Sequence, residues 1–163
     1  MGQSLAQYAR HQRDALSPNL DAVFARIHTQ APSAQILVLG YPQLLPASPQ
    51  EQNCVKLAQH TYVFHAKIRT IGFSQPEQNL FRQLTSEANQ LIAARAQASG
   101  VATFVPVEGI FAGHEVCGNS GEWINAVSLS PTKSFSPNDQ SFHPNADGQR
   151  LGYAAAINRV LNP

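Results

Sequence analysis

The residues with the clearest chemical potential lie near the C-terminus, in the stretch SFHPNADGQRLGYA at positions 141–154. His143 is followed by Pro144 and a turn of small residues, and a helix-like run begins directly after them. An imidazole titrates near neutral pH, so it can take a proton from a hydroxyl nucleophile and return it to a leaving group. His143 is therefore a candidate for proton transfer, and the alternative is a loop histidine that caps the following helix.

A histidine base needs an acceptor for the proton on its second ring nitrogen, Nδ1. Asp139 precedes His143 in the chain, and Gln140 lies between them. Either the Asp139 carboxylate reaches round the turn to His143, or a backbone carbonyl near Gln140 accepts the Nδ1 proton. Both acceptors fix the tautomer, although a neutral carbonyl stabilises the imidazolium less than a carboxylate does.

A second group of candidates lies between Glu108 and Gln140, where the chain is rich in Gly, Ser, Asn and Pro and lacks periodicity. Long loops of this kind are commonly functional. His114 and Trp123 are candidates for substrate contact, against the alternatives that His114 hydrogen-bonds within the loop and that Trp123 anchors the loop to the core. The spacing of His114 and Cys117 suits half of a zinc site, but a zinc site needs a second pair of ligands. We therefore expect no metal and no other cofactor.

The elements that must position these residues alternate between helices and strands. Continuous apolar runs predict two buried strands, at 35–39 and 102–107. Helical periodicity predicts four helices, at 18–30, 55–70, 77–99 and 146–161. Their ends are marked by local signals such as Ser17 before a proline, Gly100 after the third helix and Asn145 before the last one. The two middle helices provide the crossover that parallel strands require. This order indicates an α/β fold whose two strands are parallel neighbours. Two strands make a poor parallel sheet, so either the sequence contains further strands that these patterns do not reveal or the sheet is completed elsewhere.

Composition limits the functions available to the chain. Its 163 residues suit a single domain, 1–163, and 43% hydrophobic residues suffice for a core. A net charge of +1 with no cluster of Lys or Arg makes nucleic acid an unlikely partner. The chain shows neither the apolar run of a signal peptide nor a membrane span. Cys54 and Cys117 are predicted to form a disulfide if the protein is made in an oxidising compartment.

Four stretches together resemble the C-terminal two thirds of an SGNH hydrolase, the family of GDSL-type lipases and esterases. They are AQILVLGYPQLLP, FVPVEGIFAGHEVCG, WIN and SFHPNADGQRLGYA, and the resemblance covers about residues 18–160. It implies a flavodoxin-like three-layer sandwich with a parallel sheet, and hydrolysis of an ester or lipid through a serine acyl-enzyme. The resemblance implies that His143 is the general base and acid. The family usually has an aspartate three residues before this histidine, but that position is Gln140 here and Asp139 stands one residue earlier. The family also implies a secreted or cell-envelope protein.

The nucleophilic serine block of that family, and the glycine and asparagine blocks that supply its oxyanion donors, have no counterpart in this sequence. We therefore expect an N-terminally incomplete domain whose nucleophile comes from an upstream segment or another chain. Ser4, in Gly2-Gln3-Ser4-Leu5, imitates the serine block without a preceding strand to hold the strained turn, and Ser120 is expected in an ordinary turn. The alternative function is a non-catalytic remnant or ligand-binding module.

Overall fold

The computed structural model describes residues 4–48, 73–126 and 138–162. Five α-helices and two strands occur in these ranges: α1 (Leu5–Ala15), α2 (Ser17–Gln30), β1 (Ile36–Leu39), α3 (Gln75–Ser99), β2 (Ala102–Val105), α4 (Glu108–Phe111) and α5 (Ala154–Leu161). A π-helical segment, Gly148–Tyr153, leads directly into α5. The helix predicted at 55–70 lies outside the described residues, as does Cys54, so the predicted disulfide to Cys117 stays a prediction.

The two strands pair in parallel, as predicted. Ile36 lies opposite Ala102 and Leu39 opposite Val105. The amide of Gly40 donates to the Val105 carbonyl at 3.0 Å, which continues the ladder one residue past the end of β1. Since parallel strands end at the same edge of a sheet, the loops that follow β1 and β2 lie side by side.

Side chains alternate between the two faces of this small sheet and build a separate core on each. On one face Ile36 and Val38 pack with residues of α2 and α3, such as Phe24 and Ala96. On the other face the main core contains Phe111 and residues from β2, the loops and α5; its fully or almost fully buried members are Leu45, Val105, Val107, Phe111, Val116, Ile124 and Ala156. Helices thus cover both faces, which confirms the predicted α/β class and its three layers.

Helix ends follow the local signals in α3 but not in α2. In α3 Ser74 and Glu77 form a capping box, and Gly100 ends the helix in a left-handed conformation with φ of 67°. The prediction that Ser17 caps α2 is wrong, because Leu16 holds the cap position in a helical conformation and Ser17 is already helical. The physical reason is α1, which the sequence analysis missed and which runs almost directly into α2.

Salt bridges connect α1 and α2 to α3. Arg10 of α1 donates to both carboxylate oxygens of Glu87 in α3, at 3.3 and 3.0 Å from Nε. Arg95 of α3 pairs with Asp21 of α2. The hydrogen bond from Arg10 holds the pKa of Glu87 below its ordinary value. These pairs orient α1 and α2 on the surface of α3.

Candidate active site

His143 lies in a tight turn that precedes the last helix. The His143 amide donates to the Gln140 carbonyl at 3.1 Å, and its ring Nδ1 lies 2.9 Å from the carbonyl oxygen of Ser141. A carbonyl oxygen can only accept a hydrogen bond, so Nδ1 must carry the proton. In the neutral ring Nε2 is then the acceptor, which is the tautomer that a general base requires.

The two acceptors that the sequence left open for His143 are placed differently. The partner of Nδ1 is a backbone carbonyl, that of Ser141. Asp139 is exposed, and within the described residues its carboxylate makes no hydrogen bond to the imidazole. It does line a shallow depression beside His143, whose other polar walls are the amide side chains of Asn125, Gln140, Asn145 and Gln149.

Backbone hydrogen bonds on both sides of His143 attach its turn to the segment 123–125. Asn125 donates to the His143 carbonyl at 2.9 Å and accepts from the Phe142 amide at 3.0 Å. One residue further on, Ile124 and Pro144 form an antiparallel bridge, and Ile124 is fully buried. His143 is therefore held by a short two-stranded connection whose centre is anchored in the core.

The helix after His143 begins with the predicted cap and continues through two closely packed glycines. The side chain of Asn145 accepts from the Gly148 amide at 3.0 Å, which confirms Asn145 as the cap. A β-carbon on Gly148 would lie 2.3 Å from the Trp123 carbonyl oxygen, and one on Gly152 would lie 2.3 Å from the Phe111 ring. Only glycine permits this approach, which sets the helix directly against the loop that supports His143.

His114 and Trp123 form a stacked pair in the loop after β2. Their ring centroids are 3.6 Å apart with planes 9° from parallel, and His114 Nδ1 lies 2.7 Å from the Gly121 carbonyl. The indole also meets the buried ring of Phe111 edge-on at 5.7 Å. These contacts suit the structural alternative for both residues, a loop hydrogen bond for His114 and an anchor for Trp123. Contact of either one with substrate stays a prediction.

The two serines considered as nucleophiles take part in ordinary local structure. The Ser4 hydroxyl accepts from the Gln7 amide at 3.2 Å and so caps α1. The Ser120 amide donates to the Gly113 carbonyl at 3.0 Å within a turn. Neither serine lies on a turn that follows a strand of the described structure. Among the described residues, no group of His, Cys, Asp or Glu is arranged to hold a metal ion.

Sequence analysis missed a buried polar network beneath the loop that follows β1. The side-chain amide of Asn89 in α3 makes two hydrogen bonds to the backbone of Tyr41. Its oxygen accepts from the Tyr41 amide and its nitrogen donates to the Tyr41 carbonyl, both at 2.8 Å. One oxygen of Glu108 accepts from Asn89 at 3.0 Å and from Gln43 at 3.1 Å. Buried polar side chains must find partners, and here they fix the loop at the carboxyl edge of the sheet, where α/β proteins bind ligands. The only signal in the sequence was an asparagine placed within a helix.

Near this network Tyr153 of the π-helical segment joins the last helix to the end of β1. Its hydroxyl donates to the Gly40 carbonyl at 3.4 Å, and its ring packs edge-on against Phe111 at 5.4 Å. Burial raises the pKa of the Tyr153 hydroxyl, so it remains a donor at neutral pH. This hydrogen bond ties the helical segment that follows His143 to the loop that follows β1.

Comparison with known proteins shows which proteins this chain is similar to. A lipase from Streptomyces rimosus is 29% identical over 154 residues, and lipase 1 from Streptomyces coelicolor is 29% identical over 143 residues. The crystal structure of the extracellular lipase from S. rimosus superposes with a TM-score of 0.68 at 30% identity, over 94% of this chain and 54% of that one. The chain resembles SGNH-type lipases in sequence and in fold. No family model matches it.

The chain covers only part of the length of these similar proteins. A phospholipase A1 from Streptomyces albidoflavus superposes with a TM-score of 0.64 at 26% identity, over 88% of this chain and 50% of that one. The two lipase sequences are matched over 94% and 88% of this chain but over only 47% and 43% of their own lengths. The chain therefore spans less than half of those lipases. None of its described helices is long and apolar enough to cross a bilayer.

Proposed function

We propose that this chain is part of a carboxylic ester hydrolase that works through a serine acyl-enzyme, in which His143 is the general base and acid. The observation that carries the proposal is the hydrogen bond from His143 Nδ1 to the Ser141 carbonyl at 2.9 Å. It leaves Nε2 unprotonated in the neutral ring, ready to accept the proton of a serine hydroxyl. The similarity to lipases supplies the chemical context for that base.

The reaction would use His143 twice. As the serine oxygen attacks the ester carbonyl, its proton passes to Nε2, and the resulting imidazolium is stabilised by the dipole of the Ser141 carbonyl. The imidazolium then returns the proton to the leaving alcohol, which completes the acyl-enzyme. A water molecule, deprotonated by the same nitrogen, releases the acid and restores the serine. Oxyanion donors are a further requirement of this chemistry.

The nucleophile and the oxyanion donors would come from an additional segment of the protein or from a second chain, which also completes the sheet. Two observations support this. The described sheet has two strands, fewer than a stable parallel sheet normally contains. In addition, α2 and the residue before it present a stripe of exposed apolar side chains, Leu16, Val23 and Ile27, with 52%, 50% and 40% of their surface exposed. Such a stripe favours burial against further protein.

The substrate would be a small ester or a lipid, and the protein would be secreted or attached to the cell envelope. The similar proteins are lipases and a phospholipase A1, and the S. rimosus lipase is described as extracellular. The half-buried stack of His114 and Trp123 would contact the acyl part of the substrate, because Trp123 belongs to the segment that pairs with the His143 turn. No cofactor is needed for this reaction.

The test is hydrolysis of a short-chain aryl ester by the 163-residue chain alone and by a protein that also carries the serine, glycine and asparagine blocks. We expect turnover only in the second. His143→Ala in that protein should lower kcat by several orders of magnitude, whereas His28→Ala, on the exposed side of α2, should leave it unchanged. A completed protein that binds ligand but remains inert would favour the non-catalytic alternative.

A further inference from the structure

Phe142, the residue directly before His143, has a backbone conformation that is unusual for a residue with a side chain. Its φ is 60°, in the left-handed region, and Cys117 is the other non-glycine residue of the described chain with positive φ. A β-carbon makes this region unfavourable, so single residues that adopt it must be held there by their surroundings. The proposed reaction does not by itself account for this conformation.

The conformation of Phe142 has a direct consequence for the imidazole. The hydrogen bond between His143 Nδ1 and the Ser141 carbonyl spans Phe142, so the chain must turn back on itself at that residue. The same turn leaves the Phe142 amide free to donate to the Asn125 carbonyl at 3.0 Å. A change of φ at Phe142 would rotate the Ser141 carbonyl away from the ring, and the preference for one tautomer would be lost.

What holds Phe142 in place is its aromatic ring. The ring lies 6.1 Å from that of Phe73, which in turn meets Phe81 of α3 edge-on at 4.8 Å. Phe142 is also packed against the main core. Aromatic contacts of this kind add to the stabilisation that burial itself gives. Glycine would adopt the same φ more easily, but it has no side chain to pack. The packing of the Phe142 ring therefore offsets the cost of its unfavourable backbone conformation.

We infer that Phe142 is a positioning residue that sets the tautomer and orientation of His143, with Phe73 and Phe81 as its support. The catalytic consequence rests on the proposed function, but the effect on the His143 tautomer does not. Phe142 would thus act on the base through the backbone, by fixing where the Ser141 carbonyl points.

The experiment compares Phe142→Gly with the unaltered protein, in the completed protein labelled with ¹⁵N-histidine. The ring nitrogen shifts of His143 report the tautomer, and esterase kinetics report kcat and KM. We expect the unaltered protein to show one neutral tautomer, with the proton on Nδ1. Phe142→Gly should show a mixture, and its kcat should fall by about tenfold to a hundredfold with little change in KM, because misplaced catalytic groups lose orientation and not binding. Phe142→Tyr, which keeps the ring, should restore both.

Phe24→Leu is the matched control, because it reduces buried aromatic volume in the other core cluster without touching the turn. It should lower thermal stability but leave the tautomer and kcat unchanged. If Phe142→Gly does not fold, Phe81→Leu weakens the same support while residue 142 stays intact, and a second tautomer should appear. A single Nδ1–H tautomer in the folded variant would overturn the inference. A mixture of tautomers in a protein with no esterase activity would uphold it and count against the proposed function instead.

Discussion

Replacing Asp139 by asparagine separates the two possible partners of His143 most clearly. The substitution removes the negative charge and nearly preserves the shape of the side chain. In the structure Nδ1 is already bonded to the Ser141 carbonyl at 2.9 Å, and the exposed Asp139 carboxylate makes no hydrogen bond to the ring. We therefore expect Asp139→Asn to leave both the tautomer and the position of the imidazole unchanged.

The expected magnitude follows from the exposure of Asp139. An exposed charge contributes at most about 1 kcal/mol to a neighbouring charged group, here the imidazolium formed during the reaction. That free energy corresponds to a change in kcat of up to about fivefold. If the carboxylate instead held Nδ1, its replacement by an amide would favour the wrong tautomer and lower kcat by about 10⁴-fold. The two outcomes differ by more than three orders of magnitude on this estimate.

The assay for Asp139→Asn is kcat and kcat/KM for a short-chain aryl ester in the completed protein, near pH 8. Asp147→Asn is the control, because it makes the same change of charge on the exposed first turn of the last helix, where Asp147 pairs with Arg150. Both variants should stay within the fivefold range. A loss of a thousandfold or more in Asp139→Asn alone would refute the assignment of the Ser141 carbonyl.

Three other predictions concern stability. Gly148→Ala places a β-carbon 2.3 Å from a backbone oxygen and should destabilise the fold by about 1–3 kcal/mol in thermal unfolding, whereas Gly109→Ala, with nothing within 4 Å, should not. The pKa of Glu87 is lowered by its arginine partner, so its contribution is present at neutral pH and is lost as the folded carboxylate becomes protonated. The stability difference from Glu87→Gln in urea unfolding should therefore shrink below about pH 4, and a constant difference would contradict this. In protein made in an oxidising compartment, mass spectrometry without reduction should find Cys54 joined to Cys117, and reduction should cost roughly 4 kcal/mol.

Local signals in the sequence were sufficient for much of the fold. The apolar runs of β1 and β2 and the helix between them, with its serine cap and terminal Gly100, predicted a parallel pair that the structure confirms. The prediction that Ser17 caps α2 was wrong because a serine followed by a proline also fits the first turn of a helix. Here α2 starts at Ser17, directly after the end of α1. The capping box of Ser4 and Gln7 was a usable sign of α1.

Only part of the candidate site could be predicted from the sequence, because the remaining features depend on contacts between distant segments. The motif around His143 and the cap at Asn145 were local and were predicted. The choice between Asp139 and a carbonyl depends on the turn at Phe142, whose ring packs on residues almost seventy positions earlier in the chain, as Phe73 shows. The network of Asn89 and the π-helical segment were missed for the same reason, since no local pattern encodes them.

The most direct test of the central claim is covalent labelling of the completed protein with a fluorophosphonate, followed by peptide mapping. A serine is phosphonylated readily only when a neighbouring base removes its proton. The account predicts one labelled serine, outside the 163-residue chain, and loss of the label in His143→Ala. A label on Ser4 or Ser120, or labelling that persists without His143, would contradict it.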